Sequence, residues 1–409
     1  KMTGRKRWNI MKTMKKTKRL RLIAIALLLS AGALVGLTRI CLPDKICLME
    51  SSALPEYISV GVRLIKPDAA PVFSQRSPLC NTKKVTASLL GVLPLKEISV
   101  KTITEKKVLP GGILFGVKLA TKAPLIIELS PRAGQECPAA QAGLRSGDMI
   151  TAVGQTKIND IAALQEAINA SDGNAIEITY ERDGAEHKTS LTPQKNPNDA
   201  QYHAGILVRD STAGIGTVTF IEPGSGSFAG LGHGICDADT GLLLPIGTAQ
   251  TRVVELQGVE KGSVGAPGEL RGTFTQKRSG ALLRNTDCGV FGVFGKEITC
   301  DEEDLVPIGL RSDVHTGKAT VLASVAPQKS RAKYEIEITK IIGGDDNKSF
   351  IVHVTDSALL EQTGGIVQGM SGSPILQDGK LIGAITHVMV NDPTRGYGVF
   401  LENMLAKAS

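Results

Sequence analysis

From Gln201 to the C-terminus the chain reads as short apolar, β-branched runs separated by glycine-rich turns. The runs are Gly216–Phe220, Gly241–Pro245, Arg252–Gly258, Ala319–Val325, Tyr334–Ile341, Phe350–Val354, Lys380–Met389 and Gly396–Phe400. Punctuation at such short intervals predicts an antiparallel β-barrel, which removes its own strand edges by closing. One turn differs from the rest. In Gly369-Met370-Ser371-Gly372-Ser373-Pro374 a serine stands between two glycines ahead of an apolar strand. The glycines let the backbone fold tightly around Ser371, so that main-chain N–H groups can face a developing oxyanion. Ser371 is therefore a candidate nucleophile.

A serine nucleophile needs a base within hydrogen-bond reach, and the base needs an orienting group. Of the six histidines, His187 and His203 lie upstream of the barrel region, leaving His233, His315, His353 and His387. His233 is framed by small residues, Ala229-Gly230-Leu231-Gly232-His233-Gly234, which leave room for a substrate and a neighbouring hydroxyl. It is the candidate base. Asp237, Asp239, Asp287 and Asp356 all keep the order His–Asp–Ser, and spacing leaves the four open; Asp392 follows the serine and reads as a turn. Competing motifs fail on context. The serine motif lacks the final glycine of a hydrolase nucleophile elbow. Gly224-Ser225-Gly226-Ser227-Phe228-Ala229 mimics a dinucleotide fingerprint, but a hairpin is expected there instead of a helix. Cys236, near His233, reads as a structural thiol. No cofactor and no metal site are expected, since the seven scattered cysteines form no C-x-x-C or Cys/His spacing.

Residues 109–193 form a separate α+β unit. Strands are expected at Ile113–Leu119, Leu125–Leu129 and Asp148–Val153, and a short helix at Pro138–Gly143. Ile161–Ile168 carries apolar residues at helical spacing, and Asp183-Gly184 closes a hairpin. The run Ala142-Gly143-Leu144-Arg145-Ser146-Gly147-Asp148-Met149-Ile150 resembles the signature of PDZ domains in bacterial proteases. Such a domain binds a peptide by adding it as a strand to a sheet edge. The resemblance implies that Leu114, Phe115, Gly116 and Val117 hold the peptide carboxylate. It also implies that the helix from Asp160 to Asn169, with Leu164 and Ile168, forms the facing wall.

The first 21 residues carry ten basic groups and no acid, leaving 37 basic against 40 acidic residues in the rest of the chain. The body is near neutral, which argues against nucleic-acid binding. An apolar stretch follows from Leu22 to Leu37, extended to Leu42, and reads as a single transmembrane anchor over 22–42. Ala31-Gly32-Ala33 offers the competing reading of a cleaved signal segment; either way the body is exported. Residues 43–84 read as a tether with little structure, and 85–108 as a short β-region.

The block from Thr363 to Pro374, with Thr386-His387-Val388 and Asn391-Asp392-Pro393-Thr394, resembles the SpoIVB sporulation peptidase family of endospore-forming Firmicutes. That resemblance implies a mainly β protein, a PDZ domain followed by a trypsin-like antiparallel β-barrel serine peptidase over 200–409, behind one N-terminal transmembrane helix. It selects Asp356, after Val354-Thr355, as the triad acid beside Ser371 and His233. The backbone N–H groups of Gly369 and Ser371 become the oxyanion hole. It further implies a membrane-tethered endopeptidase between mother cell and forespore, cleaving a SpoIVFA-like regulator to release pro-sigma-K processing, and cleaving itself. The PDZ groove would take a peptide C-terminus or the chain's own tether. A peptide-binding adaptor with a silent barrel is the alternative. HtrA-type peptidases place the protease before the PDZ domain, the reverse of the order expected here.

Overall fold

The computed structural model describes residues 106–130, 136–296, 298, 300–327 and 331–408, with separate short stretches between 32 and 103. The basic segment and most of the apolar stretch 22–42 lie outside the described residues. Among the described residues no helix is long and apolar enough to cross a membrane.

The chain divides at residues 105 and 106 into two compact units. In the first, β1 (Lys45–Met49), β2 (Val62–Ile65), β3 (Cys80–Leu89) and β4 (Leu93–Ile103) form one sheet in the order β1-β4-β3-β2. Val85 and Ala87 of β3 and Ile98 and Val100 of β4 are buried at alternate positions, giving the sheet one apolar face. β1 and β2 extend that sheet into the segment expected to be an unstructured tether.

The second unit begins with β5 (Lys107–Pro110) and the 16-residue β6 (Leu114–Leu129). A PDZ unit follows: α1 (Pro138–Gln141), β7 (Met149–Val153), β8 (Thr156–Lys157), α2 (Ile161–Asn169), β9 (Ile176–Arg182), β10 (Ala185–Leu191), β11 (Gln194–Lys195) and β12 (Tyr202–His203). Local chemistry sets these elements. Gly143 (φ +78°) follows α1, the Asp160 carboxylate caps α2 by accepting from Ala163 N–H at 2.8 Å, and Asp183 and Gly184, both at positive φ, turn β9 into β10. The aspartate of the PDZ signature, Asp148, is buried and takes two hydrogen bonds of 2.7 Å from Arg182.

Two six-stranded barrels make up the remainder. Around the first run β6, β15 (Thr248–Glu260), β16 (Glu269–Thr286), β17 (Gly289–Phe294), β14 (Ser227–Gly230) and β13 (Ile206–Ile221), and β13 pairs back onto β6. After β18 (Val306–Pro307) the second closes in the order β19 (Gly317–Ala323), β20 (Ala332–Ile341), β21 (Phe350–Val354), β24 (Asp392–Phe400), β23 (Lys380–Met389) and β22 (Pro374–Gln377). Helices α3 (Ser357–Thr363) and α4 (Leu401–Ala408) flank it. The expected period of two is plain in β20, where Tyr334, Ile336 and Ile338 are buried and Glu335 and Glu337 exposed.

One boundary differs from expectation. The PDZ unit expected over 109–193 and the barrel expected from 200 share one strand. Leu114–Ala120 of β6 pair with β13 on one side and Gly116–Ala120 with β15 on the other, whereas Leu125 pairs with Met149 of the PDZ sheet. A single long strand thus serves both sheets, so the first barrel starts near residue 107, well before residue 200.

Candidate active site

The serine loop is held by backbone geometry that only glycine adopts without strain. Gly369 and Gly372 lie at φ +96° and +95°. Between them Met370 is fully buried, which anchors the loop in the second barrel. β13 straps the loop from the first barrel. Thr217 N–H donates to Ser371 O at 2.9 Å, Thr217 Oγ1 to Gly369 O at 2.7 Å, and Thr219 Oγ1 to Gly372 O at 2.8 Å. The amides of Met370, Gly372 and Ser373 donate to Val367, Ile385 and Met370 carbonyls. Those of Gly369 and Ser371 have no partner among the described residues. They are the two N–H groups that the resemblance puts forward as oxyanion donors. The Ser371 hydroxyl donates to Thr386 O at 2.7 Å.

His233 reaches the same place from the first barrel. β14 ends at Gly230, and two consecutive left-handed residues, Leu231 (φ +65°) and Gly232 (φ +68°), swing the chain out of the strand. Leucine seldom adopts this conformation; burial of its side chain and the 3.1 Å bond from Leu231 N–H to Thr217 O hold it there. A Cβ on Gly232 would lie 2.9 Å from Thr386 Cγ2, so the histidine segment packs on the residue that receives the Ser371 hydroxyl. His233 Nδ1 lies 2.8 Å from Gly234 O. A carbonyl only accepts, so Nδ1 carries the proton and Nε2 is left as a free base.

Among the described residues no carboxylate bonds to that imidazole. Asp356 caps α3, accepting from Leu359 N–H at 3.0 Å and from Glu335 N–H at 3.1 Å. It stands beyond Val354, at the end of β21 opposite Lys348, and both its oxygens are engaged there. The structure therefore does not bring Asp356 to His233, and the sequence from Asp356 into Ser357-Ala358-Leu359-Leu360 is a helix-start signal that explains its place. Asp237 and Asp239 pair with Arg209 at 2.6 and 2.7 Å, and Asp287 with Lys407 at 3.0 Å. Asparagine caps helices as well as aspartate does, whereas alanine loses about 1 kcal/mol. Asp356→Asn should therefore keep most of the activity while Asp356→Ala lowers the Tm. An asparagine variant as inactive as Ser371→Ala would restore Asp356 as the triad acid.

What faces His233 is His387 of β23, with ring centres 4.9 Å apart and planes inclined at 36°. In the sequence His387 is one of the four histidines of the barrel region and part of Thr386-His387-Val388, but carries no assigned role. Burial lowers the pKa of His233 below the ordinary imidazole value of 6.5. Burial first, then the neighbouring His233 and Lys348, push His387 down to about 4. Between these pH values the unfolded chain binds protons that the folded chain refuses, so stability is full above pH 6.5 and falls as the pH drops towards about 4. Urea unfolding at pH 7.5 and 5.0 should show this loss, and His387→Leu should reduce it; an unchanged pH dependence would contradict the assignment.

A groove borders α2, and the residues expected to hold a peptide carboxylate do not line it. Leu114, Phe115, Gly116 and Val117 are strand residues of the first barrel, with Phe115 and Val117 buried in its core and Phe115 edge-on to Phe228. The groove lies between α2 and the start of β13, lined by Ile161, Leu164, Ile168, Gly205, Ile206 and Val208. Leu164 and Ile168, expected as one wall of a peptide site, line this groove. The facing strand comes from β13, more than 80 residues later in the chain, because the first half of β6 is committed to the barrel.

Comparison with known families adds to this geometry. The family described as SpoIVB peptidase S55 matches residues 200–405, and the PDZ domain family matches residues 111–192. A serine protease Do-like HtrA of Lactococcus lactis subsp. cremoris strain MG1363 is 31% identical over 121 residues, covering 29% of this chain and 27% of that relative. A putative zinc metalloprotease of Staphylococcus aureus strain N315 is 38% identical over 58 residues, 14% of each chain. The chain thus spans about a quarter or less of the curated relatives it matches. Among solved structures, Deg5 covers 47% of this chain and 81% of its own at 15% identity and a TM-score of 0.27. The PDZ domain of an SdrC-like protein from Listeria monocytogenes covers 21% and 87% at 17% identity and a TM-score of 0.19.

Proposed function

The chain belongs to the SpoIVB peptidase S55 family and is a serine endopeptidase with a PDZ domain; from that premise we propose that Ser371 is its nucleophile and His233 its base. The observation that carries this reading is the meeting of the two barrels at Thr386. Its carbonyl holds the Ser371 hydroxyl at 2.7 Å, and its methyl group packs on the turn that delivers His233. In the resting site the serine proton is directed at Thr386 O. Attack begins when the hydroxyl turns to His233 Nε2. Oγ then bonds to the scissile carbonyl carbon, its proton passes to Nε2, and the oxyanion is received by the Gly369 and Ser371 N–H groups. His233 returns the proton to the leaving amine. A protonated His233 cannot serve as base, so activity falls on acidification through a pKa that burial sets below 6.5.

The substrate is a protein or peptide segment, and the groove beside α2 takes a peptide C-terminus or the chain's own tether. Family membership supports a role in sporulation signalling, with cleavage of a SpoIVFA-like regulator releasing pro-sigma-K processing, and with self-cleavage. The basic segment and the apolar stretch 22–42 support a membrane tether with the barrels on the far side, between mother cell and forespore. The test is fluorophosphonate labelling of the full chain with mapping of the adduct. The expected site is Ser371; a chain that takes no label there, and cleaves itself as fast with Ser371→Ala as without, is a binding protein and not this enzyme.

A further inference from the structure

We propose that an open groove beside the turn carrying His233 seats an acidic, apolar segment of the protein substrate, its carboxylates meeting Lys122 and Arg284 and its apolar side chains Leu243 and Leu283. The inference rests on Ser371 and His233 being nucleophile and base. The groove has a volume of about 500 Å³ and runs between the segment ahead of β15, residues 283–286 of β16 and the end of α4. Its first support is place. Leu243 and Thr286, two of its lining residues, close on the residue after the base: a Cβ on Gly234 would fall 2.3 Å from Leu243 Cδ1 and 2.8 Å from Thr286 O. Asn285 fastens the groove to that same turn. Its side chain accepts from Ile235 N–H at 2.8 Å and donates to Ile235 O and Leu244 O at 2.8 and 2.9 Å. A segment lying in the groove is thereby fixed relative to His233, as a substrate subsite requires.

The second support is charge. Lys122, Arg284 and Lys407 line the groove and no acidic residue does. The chain beyond its first 21 residues carries 37 basic against 40 acidic groups, so this is a local excess. Lys407 is matched by Asp287, at 3.0 Å. Lys122 and Arg284 are exposed and make no ion pair or side-chain hydrogen bond among the described residues. The third support is apolar surface, Leu283 being 66% and Leu243 44% exposed. Single exposed leucines are ordinary. Two of them in one hollow with unmatched cations make the mixed apolar and polar lining of a binding site. A small anion would leave the leucines wet, and a bilayer would need a convex apolar face instead of a hollow. An extended chain carrying both carboxylates and apolar side chains satisfies the whole lining.

The binding test uses the full chain with Ser371→Ala, so that nothing is cleaved. The probe is a fluorescein-labelled peptide rich in leucine and glutamate, amidated at its C-terminus so that it offers no terminal carboxylate to the groove beside α2. Its anisotropy should report saturable binding that weakens with added salt. Lys122→Glu combined with Arg284→Glu should raise the Kd by roughly 10-fold, because two attractions become two repulsions. Serine for leucine, or lysine for glutamate, in the probe should weaken binding likewise. Thermal melting is followed in parallel; should the doubly reversed variant not fold, Lys122→Ala with Arg284→Ala decides, with a rise of roughly 3- to 10-fold expected. With Ser371 intact, the same peptide should slow fluorophosphonate labelling, since a chain seated there runs past His233. An unchanged Kd in the variants, or equal binding of either altered probe, overturns the inference. So does binding that leaves labelling untouched, which would detach the groove from the active site. Displacement of the probe by phosphatidylglycerol but not phosphatidylcholine vesicles would also overturn it, marking a lipid-facing surface. A chain that takes no label at Ser371, with or without the peptide, overturns the underlying reading, whereas the binding outcomes overturn the groove alone.

Discussion

Ser371→Ala is expected to abolish fluorophosphonate labelling and to lower self-cleavage on the order of 10⁴- to 10⁶-fold, with His233→Ala nearly as damaging. The reason is that the two residues act as one device. Without the hydroxyl no covalent intermediate forms; without the imidazole the hydroxyl keeps its proton and remains a poor nucleophile. Groups that act as a unit give strongly non-additive losses. The double variant should therefore be little worse than Ser371→Ala alone, with a residual rate from the oxyanion donors and substrate binding. The stability of the chain should hardly change. Ser371 Oγ makes one bond to a carbonyl and is half-buried, so alanine removes a contact without opening a large cavity. Losses that multiply in the double variant would mean that Ser371 and His233 serve separate steps, and the shared-site reading would fall.

Much of this fold was legible before any coordinates. Glycine punctuation marks seven of the eight expected runs as barrel strands because each turn leaves a local trace, as the Asp183-Gly184 turn does, whereas Gly241–Pro245 forms only an isolated bridge between Leu243 and Cys236. Ser371 and His233 were found because small residues around them are a local signal too. What escaped depends on partners far away in the chain. Gly116 lies between Ile215 of β13 and Arg252 of β15. No window of sequence around Phe115 says that it will face Phe228 in a barrel instead of a peptide in a groove. The same holds for the groove strand at Ile206–Val208, which lies beyond the stretch that carries the PDZ pattern. Asp356 is a different case. Its position ahead of Ser357-Ala358-Leu359-Leu360 carries a cap signal, while its selection as the acid rests on the family resemblance, since spacing leaves four aspartates open. His387 is visible in the sequence as one of four histidines, but its place beside His233 is not, since that contact joins β23 to the turn at Leu231-Gly232.

That same meeting makes Gly372→Ala the most damaging small substitution expected in the chain. At φ +95° any Cβ is strained, and here it would also fall 2.0 Å from Thr217 O and 2.4 Å from Leu231 N. Both obstacles are backbone atoms of the first barrel, one in the strand that straps the serine loop and one in the turn that delivers His233. Neither can step aside as a side-chain tip would. The loop must lift, which breaks the ties from Thr217 to Gly369 and Ser371 and from Thr219 to Gly372. Left-handed alanine costs about 1–2 kcal/mol, and overpacking typically adds about 1–3 kcal/mol. A shift of the nucleophile by about 1 Å can cost a further hundredfold in rate. Gly379→Ala is the matched control: it lies at φ +76° in the turn between β22 and β23, with nothing within 4 Å of the added carbon. It should lose only the backbone term and keep its labelling rate. Equal losses of Tm and labelling in the two variants would show that conformational strain alone is at work, and that the two barrels do not meet at Gly372 to set the serine in place.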